Sequence, residues 1–200
     1  MTARRLVLAS ASPRRKQLLS QIGVSFRVAS QNVDEAQLIA ESAPDYVQRL
    51  ATNKAESALR RLATASESVI IAADTVVLCD QEILGKPEDQ ADAVRMLLQL
   101  SAREHHVLTA VAVATRSRHK TILSDSTVIF RSINRREAEQ YWHSGELVGK
   151  AGGYAIQGHA AVFVKHLRGS YSGVMGLPLF EAAQLLRDFG IECWQPEMGQ

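Results

Sequence analysis

Apolar positions fall into short unbroken runs and into helically spaced stripes, and the two patterns alternate along the chain. Leu6-Val7-Leu8-Ala9 is such a run and predicts a buried strand. Ser10-Ala11-Ser12-Pro13 predicts the turn into a helix, with Ser12 as N-cap and Pro13 in the first turn. Leu18, Leu19 and Ile22 give that helix an apolar patch, and Gly23 supplies its stop. Positions 24–29 alternate as a short strand, and 30–36 is a polar segment containing Asp34 and Glu35. A long helix is expected from near Ser42 to about Ala63, with Pro44 in its first turn. Its apolar face uses Val47, Leu50, Ala51, Ala55, Ala58 and Leu62.

Residues 69–78 are apolar and β-branched, the composition of a central strand. Gly85-Lys86-Pro87 breaks the chain, and 89–100 reads as a second long helix. Two long strands are expected over 107–115 and 121–133, joined by a polar turn around Ser117. Asn134 and Glu137 stand at capping-box spacing before a short helix ending near Gly145. A glycine-rich loop over 149–158 leads to a strand over 161–166, and Pro178 opens a last helix that closes at Gly190. Strands interleave with helices while adjacent antiparallel pairs also occur. The expected fold is therefore α/β with a mixed sheet flanked by helices.

A chain of 200 residues makes one ordinary domain or two lobes sharing a core. It is long enough to bury ~70% of its unfolded surface without a metal or disulfide staple. The net charge of +2 and the sparse aromatics exclude a general nucleic-acid binder, so any electrostatic work is local. Cys79 and Cys193 form no CxxC pair, which fits reduced thiols and a cytoplasmic location. The apolar run at 6–9 is too short for a signal peptide or a membrane span.

Several residues depart from the pattern. Arg14, Arg15 and Lys16 place three cations in a first helical turn, where the macrodipole is positive and backbone N–H groups are unpaired. A phosphate there would make donors, dipole and guanidinium groups cooperate; otherwise the turn is solvated and pairs with surface carboxylates. Asp74 interrupts an otherwise apolar strand. A buried carboxylate costs several kcal/mol unless paired. Either Asp74 caps N–H groups at a bend, or it is a metal ligand or general base in a cleft. Thr75 beside it offers a hydroxyl or serves as strand filler. Lys54 lies on the apolar face of its helix, either snorkelling to solvent or aimed at a polyanion, and Lys86 poses the same choice in its tight break.

The loop residue Gln157 carries a donor–acceptor amide able to pair with a base edge. No GxGxxG or P-loop signature is present, and Ser10 and Ser12 lack a nucleophile elbow. Adjacent His105 and His106 point to opposite strand faces, so a metal site here would be carboxylate-based and suited to Mg²⁺ or Mn²⁺.

Six segments taken in order resemble the Maf proteins, which are nucleoside triphosphate pyrophosphatases. They are Leu8-Ala9-Ser10-Ala11-Ser12-Pro13-Arg14-Arg15, Val33-Asp34-Glu35, Asn53-Lys54-Ala55, Ala73-Asp74-Thr75-Val76-Val77, Gly85-Lys86-Pro87 and Gly176-Leu177-Pro178. The resemblance covers residues 6 to about 190, so the expected organisation is a single Maf-like domain over 1–200. The loop Lys150-Ala151-Gly152-Gly153-Tyr154-Ala155-Ile156-Gln157-Gly158 is similar to that of the branch acting on dTTP and UTP. The sister branch, acting on 7-methyl-GTP, has a different loop. Where the dTTP/UTP branch usually has Asp before Lys-Ala-Gly, this chain has Gly149.

The resemblance implies an α/β fold with a curved mixed sheet and two lobes around a central nucleotide cleft, similar to inosine triphosphate pyrophosphatases. It implies hydrolysis of a nucleoside triphosphate to the monophosphate and pyrophosphate with a divalent metal cation (Mg²⁺, Mn²⁺ or Co²⁺). By the same carry-over Asp74 is the catalytic proton acceptor, and Arg14, Thr75 and Gln157 set substrate choice. Ser10, Ser12, Arg15, Lys54 and Lys86 bind phosphates, and Glu35 with Asp74 holds the metal. The partner is the nucleotide itself, with no nucleic acid and no membrane, and relatives suggest a homodimer. A rival of another class is a nucleotide-binding regulator of cell division. The chain offers no added interaction domain or basic tail for that role.

Overall fold

Uninterrupted apolar runs become the inner strands of one sheet, and the helically spaced stripes become the faces that cover it. The computed structural model describes residues 4–62 and 68–194. In chain order the elements are β1 (Arg5–Leu8), α1 (Pro13–Gln21), β2 (Phe26–Val28), α2 (Ala43–Arg61), β3 (Ser68–Cys79), β4 (Glu82–Leu84), α3 (Gln90–Leu100), β5 (Glu104–Ala114), β6 (His119–Phe130), α4 (Arg135–His143), β7 (Val164–Arg168), α5 (Tyr171–Met175) and α6 (Leu179–Asp188). Short 3₁₀ turns cover Ala151–Gly153 and His159–Phe163. The seven strands run in the order β2-β1-β3-β5-β6-β7, with β4 beside β3. Both β2 and β3 pair parallel to β1, while β3–β4 and β6–β7 are antiparallel, so the sheet is mixed as expected. No helix among the described residues is long and apolar enough to cross a membrane.

The caps follow the sequence closely. Ser12 accepts from the Arg15 N–H, Ser42 from that of Asp45 and Asp89 from that of Asp92. Asn134 and Glu137 close a reciprocal capping box. The end expected for α2 at Ala63 lies outside the described residues; the helix closes at Arg61.

Four elements differ from expectation. β4 follows a two-residue turn in which Asp80 and Gln81 take φ values of 50° and 78°. That is the geometry of a tight hairpin, written here without the glycine that normally marks it. β6 ends at Phe130 instead of reaching 133, because the Ile133 N–H turns away to the Ser101 hydroxyl at 2.7 Å. β7 starts at Val164 instead of 161, because the Ala161 N–H turns back to the Gly158 carbonyl at 3.0 Å and the Val164 N–H to the Ala161 carbonyl, which winds 159–163 into a 3₁₀ turn. The short helix α5 is nucleated by Ser170, whose hydroxyl accepts from the Gly173 N–H at 2.9 Å.

The chain forms two compact units. The first comprises Met1–Asp74, Thr109–Ser124 and Gly176–Gln200. Its core is built on Leu8, Leu19, Leu50, Ile70 and Ile71, all essentially inaccessible. The second comprises Thr75–Leu108 and Asp125–Met175. Here α3 packs on α4 and on the 151–153 turn, over a core of Leu84, Leu97, Leu100, Phe130 and Leu147.

His105 is buried in that second core, edge-on to Phe130, with its Nε2 2.8 Å from the Tyr154 hydroxyl. Burial lowers its pKa to about 3, the neighbouring His106 acting in the same sense. Between that value and an unfolded pKa of about 6.5 the unfolded chain binds a proton that the folded chain refuses. Stability therefore rises with pH through this window and is lost on acidification. His105→Gln, followed by urea unfolding at pH 7 and pH 4, should reduce the acid-induced loss of stability by about 3 kcal/mol. An unchanged pH dependence would show that His105 titrates normally.

Candidate active site

β3 is buried along almost its whole length, and Asp74 sits inside it, not at a bend. Asp74 is only 8% exposed, so its carboxylate needs a partner that replaces water. That partner is Lys54 on α2, itself 9% exposed, whose Nζ donates to Asp74 Oδ1 at 2.6 Å. The lysine on the apolar helix face thus points inward instead of snorkelling. The same Nζ donates to Glu35 Oε1 at 2.6 Å, which brings a second carboxylate onto one ammonium. Glu35 belongs to the polar segment before α2 and is exposed. The segment is tied down by α2 itself: the Tyr46 hydroxyl donates to the Glu35 carbonyl at 2.7 Å, and Arg49 donates to the Ala36 carbonyl at 2.9 Å. Arg49 also forks onto Glu41, which closes the segment's far end. Burial together with the negative charges of Asp74 and Glu35 pushes the Tyr46 phenol above its ordinary pKa.

The first turn of α1 lies in the same unit. Ser10 is buried at the end of the apolar run, and its hydroxyl accepts from the Ser12 N–H at 3.2 Å. Arg15 donates through Nε to the Gly176 carbonyl at 2.8 Å and through Nη1 to Ser10 Oγ at 3.4 Å. Desolvation lowers the Arg15 pKa; Asp74 and Glu35 pull it up, and Arg14 pushes it down. Arginine stays protonated regardless. Asp74 and Glu35 thus act on Arg15 from within the same unit. Arg14 is half-buried in this turn and Lys16 is exposed. Seven expected residues thus gather in one unit: Ser10, Ser12, Arg14, Arg15, Glu35, Lys54 and Asp74.

Thr75, Lys86 and Gln157 belong to the second unit. Thr75 follows Asp74 on β3, half-buried, while Lys86 and Gln157 are exposed. The strap carrying Lys86 meets the loop carrying Gln157: the Gly152 N–H donates to the Gly85 carbonyl at 2.9 Å. Gly152 has φ +67°, and a Cβ there would come within 2.8 Å of Val77 Cγ2, so only glycine lets the loop lie this close to β3.

Tyr46, Arg49 and the Gly176 carbonyl escaped the sequence reading as functional groups. For Tyr46 and Arg49 the available signal was their i, i+3 spacing on the helix that carries Lys54. Among the described residues no group of three or more His, Cys, Asp or Glu has metal-holding geometry. The convergence of Glu35 and Asp74 on one cation nonetheless fits a hard divalent ion, because Mg²⁺ is held through one or two carboxylates plus substrate phosphates.

A family profile described as Maf-like protein matches residues 5–189. A dTTP/UTP pyrophosphatase of Saccharophagus degradans is 50% identical over 191 residues, covering 95% of this chain and 91% of the relative. The dTTP/UTP pyrophosphatase of Alkalilimnicola ehrlichii is 51% identical over 190 residues, covering 94% of each chain. That of Vibrio cholerae is 47% identical over 189 residues, covering 94% of this chain and 100% of the relative. Among solved structures, the Staphylococcus aureus Ham1 protein aligns with a TM-score of 0.47 at 14% identity, covering 64% of this chain and 72% of that one.

Removing one partner of a buried ion pair strands the other. Lys54→Met should therefore lower stability by about 3–5 kcal/mol at neutral pH. Adding Asp74→Asn to Lys54→Met should recover part of that loss, because the stranded charge is gone. A denaturant double-mutant cycle measures both; additive losses would mean the pair is not coupled.

Proposed function

This chain is a member of the Maf family, and on that premise we propose that it is a nucleoside triphosphate pyrophosphatase that hydrolyses dTTP and UTP to the monophosphate and pyrophosphate. The observation that carries the reading is the buried Asp74 carboxylate, held by Lys54 within the unit that also presents Arg14 and Arg15 on the first turn of α1. A general base, a phosphate clamp and a helix N-terminus are the parts that such a hydrolysis needs.

In this reading Ser10, Ser12, Arg15, Lys54 and Lys86 bind the triphosphate. Their donors oppose the charge that moves onto the leaving pyrophosphate. Lys54 gives two of its three N–H donors to Asp74 and Glu35, and the third serves a phosphate oxygen. A water attacks the α-phosphorus, forming a new P–O bond while the α–β bridging bond breaks. Lys54 holds Asp74 Oδ1, so the water's proton passes to Oδ2. Glu35 and Asp74 would hold a divalent cation, Mg²⁺, Mn²⁺ or Co²⁺, which when bound neutralises phosphate charge and acidifies water.

Substrate choice falls to Arg14, Thr75 and Gln157. A thymine or uracil edge offers O4 as acceptor and N3–H as donor, and one Gln amide pairs with both. A base lacking that pattern leaves polar groups unpaired and is rejected strongly. The whole chain acts as one Maf-like domain in the cytoplasm. It works as a homodimer in nucleotide house-cleaning, without nucleic acid or membrane as partner.

Asp74→Asn keeps the shape and removes the base, so turnover should fall by ~10²–10⁴ while the nucleotide still binds. Pyrophosphate release and equilibrium binding of dTTP, each measured with Mg²⁺, separate the two effects; turnover at the wild-type rate would remove Asp74 from its role. A panel of dTTP, UTP, dCTP, GTP and 7-methyl-GTP, run with Mg²⁺, Mn²⁺ and Co²⁺ and again with chelator, should show fastest release from dTTP and UTP and none without metal. Fastest release from the methylated purine would place the protein in the sister branch. Tight binding without release would make it a regulator.

A further inference from the structure

Gln157 stands at the exposed tip of a turn closed by the Gly158 N–H donating to the Ala155 carbonyl at 3.0 Å. An exposed amide on a turn is a poor reader of base edges unless the turn is rigid, because ordering it on binding would consume the affinity it supplies. Both ends of this turn are held by one side-chain pair. At the near end, the Ala155 N–H donates to the Tyr141 hydroxyl at 3.1 Å. At the far end, the Glu146 carboxylate accepts from the N–H groups of His159 at 3.0 Å and Ala160 at 3.4 Å. The Tyr141 hydroxyl donates to Glu146 Oε2 at 2.7 Å and so joins the two ends.

The loop's sequence is shaped around that carboxylate. A Cβ at residue 158 would fall 1.7 Å from Glu146 Oε1, so the acid fills the space a side chain would take. Lys150 donates back to the Glu146 carbonyl, which fixes the start of the loop to the same residue. Burial opposes the charge on Glu146, yet the Tyr141 hydroxyl and the His159 and Ala160 N–H groups outweigh it and keep its pKa below the ordinary value. Tyr141 is buried against Phe163, the rings meeting edge to face at 5.6 Å, so the hydroxyl has little room to stray. All of these groups lie in the second unit.

We propose that Glu146 and Tyr141 are positioning residues for base selection: together they staple the Ala155–Gly158 turn and so aim the Gln157 amide. The proposal rests on the reading that Gln157 pairs with the pyrimidine edge. Neither residue touches phosphate chemistry, so loss of the staple acts on recognition and leaves the hydrolytic step intact.

The test compares Tyr141→Phe, Glu146→Gln, Gln157→Ala and the double variant Tyr141→Phe/Gln157→Ala, measuring kcat and KM for dTTP, UTP and dCTP. Tyr141→Phe and Glu146→Gln should each raise KM for dTTP and UTP and lower the preference for dTTP over dCTP by roughly tenfold, with kcat unchanged. The double variant should show no further loss of preference beyond Gln157→Ala, since the staple acts through that amide. If Gln157→Ala loses preference while the staple variants keep it, the proposal fails and the pyrimidine reading stands. If Gln157→Ala keeps full preference, the pyrimidine reading of Gln157 fails and takes the proposal with it. A uniform fall in kcat with preference intact would make the staple merely structural. Should Glu146→Gln not fold, Tyr141→Phe, which deletes one oxygen, decides the matter alone.

Discussion

Lys54 and Asp74, each a residue under a tenth exposed, join ammonium to carboxylate at 2.6 Å and set the terms for the first unit. Desolvating such a pair costs several kcal/mol per ion, and an apolar pair of the same volume would generally be at least as stable. Stability is therefore a poor reason for Lys54 and Asp74 to stand where they do. Position is a better one. β3 fixes Asp74 in a strand buried along almost its whole length, and α2 fixes Lys54 on a packed face. The pair is then a rigid point of charge in low dielectric, where each interaction with a phosphate or a proton counts for more than it would in water.

Charge bookkeeping extends the same logic. The cations proposed to meet the substrate, Arg14, Arg15, Lys54 and Lys86, exceed the carboxylates Glu35 and Asp74 by two charges. A triphosphate brings several negative charges, so the protein groups alone would leave it under-compensated. On the function proposed above, the two carboxylates that converge on Lys54 would take a cation of higher charge to make up the difference. Arg15 illustrates the tension: burial lowers its pKa, and the two carboxylates oppose that shift. Its Nε and Nη1 are meanwhile anchored on Gly176 and Ser10, which aims the guanidinium before any ligand arrives.

Much of this was legible along the chain, and what was not shares a cause. Caps and apolar periods depend on residues a few positions apart, so Ser12, Ser42, Asp89 and the Asn134–Glu137 box could be read directly. Asp74 was visible as an anomaly because a carboxylate in an apolar strand violates a local rule. Its partner was not, since Lys54 is 20 residues away and the contact depends on how α2 lies on β3. The β4 hairpin was hidden because Asp80-Gln81 adopts positive φ without glycine. The start of β7 was hidden because 159–163 winds into a 3₁₀ turn whose first two N–H groups go to Glu146, and only tertiary contact supplies that cap.

Hydrophobic pattern predicts strand wherever apolar residues run together, and Ala160-Ala161-Val162-Phe163 runs together. The Glu146 carboxylate accepts from the N–H groups of His159, just ahead of that run, and of Ala160, at its start, while the Ala161 N–H turns back to the Gly158 carbonyl, so the segment winds into a 3₁₀ turn instead. The place where local propensity loses is thus the place where the chain has invested a partly buried acid, a buried phenol and a glycine with no room for a Cβ. Such concentrated overrides of local preference belong to positions where geometry matters more than stability. In the proposed reading the general base and its lysine stand on a strand and a helix. The proposed reader of the base stands on a turn whose ends are tied by side chains.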